Sequence, residues 1–237
     1  GDWSSDVCSS DLRGWGEWNG RFRDFWRAFQ NDDNWKLDSK EGDADDGFLL
    51  TGCDRYYKWN GRRPHHSVNF VTVHDGFTMY DLVSYNVKQN RCGPLNPVCC
   101  ENPTSPWCEV VSGEDNNRSR DWGDETLKRQ IMRNLFTAML VSHGTPLLWA
   151  GDEWLCTQLG NNNTYTPEAD NAYSWHDWGQ WQAQPERWRM VDYVRQLVRL
   201  RKRFAEDYRK SIPAADDRHN IPARPLDRQC PPHAQGS

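Results

Sequence analysis

Residues 68–77, Val-Asn-Phe-Val-Thr-Val-His-Asp-Gly-Phe, constrain the fold of this chain more than any other stretch. An apolar, β-branched run passes directly into two polar residues and a glycine. That pattern predicts a strand buried in a parallel sheet, with chemistry exposed at its C-terminal end. In enzymes built on a (β/α)8 barrel, that end carries the active site. His74 and Asp75 are therefore the first site candidates.

The flanking segments alternate between the same two element types. Residues 14–29 place Trp18, Phe22, Phe25, Trp26 and Phe29 at helical spacing, with Asn19 as a candidate cap. Residues 78–89 predict a short helix with Met79, Leu82, Val83 and Val87 inward. Residues 124–142 predict a longer one, capped by Asp124, with Leu127, Ile131, Leu135 and Met139 as its stripe. Gly144 and Pro146 stop it. Leu147 to Ala150 then read as a second buried strand ending in Gly151-Asp152-Glu153, again acids just past a strand. A last helix covers residues 185–204, with Trp188, Val191, Val194, Leu197 and Val198 inward and a basic end that suits the helix dipole. Repeated strand–helix units imply an α/β fold with a parallel sheet, or part of a (β/α)8 barrel. Two clear strands are too few to close a barrel, and the open edges predict aggregation or a molten state.

Composition narrows the function classes. The 237 residues carry a net charge of -5, which gives no general attraction to nucleic acid. No apolar run approaches the roughly 18 residues of a membrane span. Fourteen Trp set the chain apart from disordered sequences, which are poor in aromatics. Indole faces serve core packing or stacking on sugar rings, and packing is the commoner use. Four of the eight Cys lie within Cys92–Cys108, with no Cys-x-x-Cys spacing, so no zinc site is expected. A disulfide-linked loop there would imply secretion, and reduced thiols a cytoplasmic location, which is the favoured one. Asp43, Asp45, Asp46 and Gly47 are one residue short of a calcium loop. His65 and His66 would need further ligands to hold a metal, and none is evident. Residues 1–13 are expected to be a non-native or disordered leader, since SSDVCSSDL resembles translated adapter sequence. Residues 206–237 are expected to be a disordered or non-native tail.

Several long strings carry a family resemblance. SVNFVTVHDGFTMYDLVSYNVKQN (67–90) resembles the stretch around the seventh barrel strand of isoamylase-type glycogen debranching enzymes, in the α-amylase family of glycoside hydrolases. LVSHGTPLLWAGDEWLCTQLGNNNTYT (140–166) resembles their eighth strand and its loop, and NAYSWHDW (171–178) the next segment. WGEWNGRFRDFWRAF (15–29) resembles the helix after the fifth strand. The similarity spans residues 14–204 and implies the C-terminal part of a catalytic barrel, roughly its sixth to eighth strands with their helices.

The resemblance implies retaining hydrolysis of α-1,6 branches in glycogen, amylopectin or limit dextrin, with no cofactor or metal. Such chemistry needs a nucleophile and a general acid about 5 Å apart. The family carries these after its fourth and fifth strands, and no matching segment lies upstream of Gly14. Asp75 matches the third carboxylate, which holds sugar hydroxyls and stabilises the transition state. His74 matches the substrate-contacting histidine. Asp152, Asn161, Asn162 and Trp154 are further expected substrate contacts, and Trp149 and Trp175 candidate stacking platforms. The chain alone is therefore expected to be inactive. A non-catalytic α-glucan-binding protein is the alternative. A metal phosphohydrolase using His74 and Asp75 would need ligands that the sequence does not supply.

Overall fold

The computed structural model describes residues 16–32, 50, 64–90, 113–164, 175–176, 179 and 184–211, with backbone alone from 206. The cysteine-rich stretch 92–108, the acidic stretch 43–47 and the expected leader lie outside these residues. The expected tail does too, apart from the helical backbone of 206–211.

Three short strands form one parallel sheet: β1 (Glu17–Asn19), β2 (Ser67–Asn69) and β3 (Thr145–Pro146), in that order. Trp18 stands beside Val68 and Val68 beside Thr145, while Asn19 stands beside Asn69 and Asn69 beside Pro146. Strand β1 is a finding, because the periodicity of residues 14–29 predicts helix from Trp18 onward. The helix α1 (Gly20–Asn31) begins two residues later, where the Asn19 side chain accepts the Phe22 N–H at 3.0 Å. Asn19 also donates to Ser67 Oγ at 2.9 Å, and Ser67 Oγ donates to Asn69 Oδ1 at 2.7 Å. Asn69 in turn donates to the His143 carbonyl at 2.7 Å. This buried polar chain is satisfied at each link, which keeps it from costing stability.

The first expected strand is shorter in the sheet than in the sequence, and the second is displaced: β3 is Thr145–Pro146, whereas Leu147 to Ala150, expected as a buried strand, follow it outside the sheet and at most partly buried. Pairing of β2 ends at Asn69, whose carbonyl accepts the Leu147 N–H at 2.8 Å. Beyond it Phe70, Val71 and Val73 stay buried, but the Val71 carbonyl is taken by Arg27 Nε at 2.9 Å. A side chain thus replaces the neighbouring strand.

Helix α2 (Met79–Leu82) is capped by Thr78, which accepts the Asp81 N–H at 3.0 Å. It stops after one turn rather than continuing to Gln89. The carbonyls of Leu82 and Val83 accept instead from Arg120 and Trp122, at 3.0 and 3.1 Å. Val87, expected inward, is consequently 63% exposed.

Helix α3 (Glu125–Val141) begins where Asp124 accepts the Leu127 N–H at 2.9 Å. Ile131, Leu135 and Met139 of its predicted stripe are buried, with Met132, Phe136 and Leu140 beside them. Arg201 caps its far end, donating to the Leu140 and Ser142 carbonyls at 2.8 and 2.7 Å. Gly144 then turns the chain into β3 at φ +116°, where a Cβ would lie 2.7 Å from Asn69 Nδ2.

Helix α4 (Pro185–Ser211) runs past the predicted end at Phe204. Its buried stripe is Met190, Val194 and Leu197, at i, i+4 and i+7, whereas Trp188 is 41% exposed. The core lies among the four helices and the stretch after β2, around Phe22, Val71, Phe77, Leu82, Leu135, Phe136 and Met190. Each such side chain contributes about 1.5–3 kcal/mol by leaving water. Among the described residues, no helix is long and apolar enough to cross a membrane.

Candidate functional site

The C-terminal end of β2 divides its polar residues into an exposed pair and a buried frame. His74 and Asp75 are the exposed pair, with side chains 59% and 55% accessible. His74 Nε2 lies 3.1 Å from Asp75 Oδ1. Gly76 follows at φ +88°, and its N–H donates to the Asn162 carbonyl at 3.1 Å. That bond fixes the backbone that presents the two side chains, while Val73 and Phe77 on either side are buried.

Asp152 belongs to the frame. Its carboxylate is enclosed and accepts from the Thr72 hydroxyl and, at 2.8 Å, from the Met79 N–H. It therefore ties the turn after β3 to the end of the β2 segment. Burial pushes its pKa up to about 7, against the hydrogen bonds from Thr72 and Met79 that lower it. Glu153 accepts the Gly151 N–H at 3.1 Å and holds the same turn. Asn162 is likewise enclosed: Asn90 Nδ2 donates to its Oδ1 at 2.9 Å, and its own Nδ2 donates to Asn117 Oδ1 at 3.0 Å and the Glu114 carbonyl at 2.7 Å. Asn161 is 2% exposed and accepts the Asn163 N–H at 2.9 Å. Trp154 is 3% exposed and meets Trp188 edge-on, ring centres 5.2 Å apart. These four residues were expected to touch substrate, and here they face the protein instead. Of the other two tryptophans, Trp149 is half-buried and Trp175 is 63% exposed.

Three residues outside the expected set complete the site region. Asp81 mirrors Asp152, accepting from the Thr157 hydroxyl and from the Gln158 N–H at 2.7 Å. Burial pushes its pKa up to about 6. A Thr-x-x-Asp capping pattern at Thr78–Asp81 was the available signal for it. Arg27 is buried beneath the site, and burial lowers its pKa to about 10. Nothing in the helical spacing of α1 distinguishes it from a solvated arginine. Trp18 is 50% exposed, with ring centres 5.6 Å from Phe70 and 6.1 Å from His74.

Further round, Cys156 Sγ lies 3.1 Å from His176 Nδ1. Burial pushes its thiol up to about 11, so it is not poised as a nucleophile. Among the described residues, no three His, Cys, Asp or Glu side chains converge to hold a metal ion.

A small parallel sheet with helices, and an exposed polar pair in the segment after one strand, is the layout of an α/β fold. Sequence comparison then gives the family. The Glycogen operon protein GlgX homolog of Mycobacterium tuberculosis is 40% identical over 165 residues, 69% of this chain and 21% of its own length. The Isoamylase of a Flavobacterium species is 37% identical over 193 residues, 80% of this chain and 22% of its own. Isoamylase 1, chloroplastic, of Oryza sativa subsp. japonica is 40% identical over 153 residues, 64% and 18% respectively. Over this stretch the chain is homologous to isoamylase-type debranching enzymes of the α-amylase family. It spans about a fifth of the length of the curated relatives it matches. Among solved structures, a pullulanase from Paenibacillus barengoltzii aligns with 79% of this chain and 24% of its own at TM-score 0.46 and 24% identity. No family model matches.

Proposed function

We propose that this chain is the substrate-holding part of an α-glucan debranching glycosidase, which hydrolyses α-1,6 branch linkages in glycogen- or starch-like glucans with retention. The observation that carries the reading is the exposed His74–Asp75 pair in the segment that follows parallel strand β2, within a sequence homologous to isoamylases. Asp75 is the carboxylate that bonds sugar hydroxyls and favours the distorted, oxocarbenium-like ring. His74 donates to a neighbouring hydroxyl. Asp152, Asn161, Asn162 and Trp154 form the frame that holds this edge in place.

The same reading assigns the chain β6 to β8 of the parent barrel. Its nucleophile and general acid belong to strands outside that portion. Carboxylates near the pair support this division. Asp81 and Asp152 are buried and hydrogen-bonded to backbone, so neither can attack a sugar. Strand alternation turns Glu17 to the face opposite Trp18, and it is Trp18 that meets His74. The chain alone therefore binds branched α-glucan and does not cleave it.

Affinity electrophoresis through glycogen gels, paired with a reducing-end assay on the same glycogen, tests this. Retardation without release of linear oligosaccharide is the expected result. Hydrolysis by the purified chain, abolished in Asp75→Ala, would overturn the division of the catalytic set. Absence of retardation would overturn the binding role.

A further inference from the structure

A sugar ring offers two kinds of surface. Its hydroxyl rim asks for hydrogen-bonding groups, and its C–H face asks for a flat apolar one. His74 and Asp75 satisfy the first requirement only. The structure places a candidate for the second directly beside them.

Trp18 lies in the middle of β1, so its side chain leaves the sheet on the face opposite Glu17 and Asn19. Asn19 is buried in the polar chain beneath the sheet, and Trp18 is 50% exposed above it. A half-exposed indole presents a flat apolar face on which a sugar ring can stack. The indole is not loose. It rests on Phe70, ring centres 5.6 Å apart, and Phe70 is 3% exposed. The guanidinium of Arg23 lies 5.7 Å from the centre of the Phe70 ring. On its open side Trp18 meets His74 at 6.1 Å, with planes inclined by 69°. An indole supported by Phe70 and met edge-on by the His74 imidazole is pre-organised, so little is lost in ordering it on binding. Aromatic surface with a few convergent polar groups is the usual make-up of a small-ligand site.

We propose that Trp18 is the stacking platform for the glucose unit whose hydroxyls His74 and Asp75 hold, and that its edge contact also sets the angle of the His74 ring. This rests on the assignment of His74 and Asp75 as glucan-binding groups. The helical spacing of residues 14–29 hides the role, because it counts Trp18 among the core-facing aromatics of α1.

The test uses the 237-residue chain and maltoheptaose, with affinity read by calorimetry and by retardation in glycogen gels. Trp18→Ala should weaken binding about tenfold, the scale of one good aromatic contact. Trp18→Tyr should recover most of that loss, and Trp18→Leu should not, because leucine fills space without a flat face. Recovery by Trp18→Leu would mean that Trp18 only packs, and would overturn the inference. So would unchanged affinity in Trp18→Ala with binding lost in Asp75→Ala, an outcome that leaves the proposed function standing. Absence of wild-type binding would overturn both. Thermal unfolding of each variant separates lost stacking from lost folding.

Discussion

Three aspartates share one neighbourhood and have opposite fates. Asp81 and Asp152 are enclosed, each accepting from a threonine hydroxyl and a backbone N–H. Asp75 lies in water beside His74. Asp75 and Asp152 lie in the segments that follow β2 and β3, and Asp81 in the short helix α2, so chain position alone does not tell which carboxylates are enclosed. An enclosed carboxylate whose two oxygens each accept from the protein holds two loops together and lies out of a ligand's reach. The enclosed pair is reciprocal: Asp152 reaches from the β3 turn back to Thr72 and Met79, and Asp81 reaches from α2 forward to Thr157 and Gln158. The open pair stands on the platform these clamps create.

A large effect is expected from breaking a clamp. Asp152→Ala leaves the Thr72 hydroxyl and the Met79 N–H buried without that acceptor, which should cost about 3 kcal/mol. Chemical denaturation of wild type and variant measures it. A cost below about 1 kcal/mol would show that the carboxylate is dispensable to the fold and reopen it as a ligand group.

A second effect should appear with pH. In the unfolded chain both aspartates lose their protons near pH 4. In the folded chain burial holds those protons until about pH 6 for Asp81 and about pH 7 for Asp152. The folded state therefore binds more protons than the unfolded state between about pH 4 and pH 7, so their contribution to stability falls as pH rises through that window. Asp152→Asn cannot titrate. The stability of wild type relative to Asp152→Asn should decline from pH 4 to pH 7 in denaturant titrations at a series of pH values. A flat difference would mean that the carboxylate is ionised throughout, held so by its donors and the nearby Arg27.

Leu127 offers a weaker contrast within one helix. It shares the predicted stripe with Leu135, yet it is 38% exposed and Leu135 is fully buried. Leu135→Ala should cost about 2–5 kcal/mol. Leu127→Ala should cost under about 1 kcal/mol, since much of its side chain already meets water. Thermal or denaturant unfolding of the two variants compares them directly.

The same contrast explains what the sequence could convey. Helix α3 was legible because its cap, stripe and stop all act locally: Asp124, Ile131–Leu135–Met139 and Gly144 each do in the structure what their type and spacing predict. His74 and Asp75 were legible as an exposed polar pair following a buried apolar run, although the strand itself ends at Asn69. The lengths of the strands and of α2 were not, because they depend on partners far along the chain. Arg27 replaces a strand at Val71, and Arg120 and Trp122 take the carbonyls that would have continued α2. The burial of the frame residues was hidden in the same way. Asn162 looks suited to sugar hydroxyls until Asn90, Asn117 and Glu114 are seen to occupy its amide. Periodicity cannot report a hydrogen bond between residues 45 or 72 positions apart.

The smallest effect on folding should come from the residue with the largest effect on binding. Asp75 is more than half exposed, and the one ion pair described for it is with its neighbour His74 at 3.1 Å. Exposed pairs of this kind contribute about 0–1 kcal/mol, because water solvates the charges nearly as well as they solvate each other. Asp75→Ala should therefore leave the unfolding midpoint within the range of ordinary surface substitutions, about 0.5 kcal/mol. Retardation in glycogen gels should nevertheless be lost, since a carboxylate supplies acceptors that alanine lacks. A variant that keeps its retardation would place the ligand elsewhere on the chain. One that loses stability as Asp152→Ala does would show that Asp75 belongs to the frame, and the distinction between open and enclosed carboxylates would fail at its most exposed member.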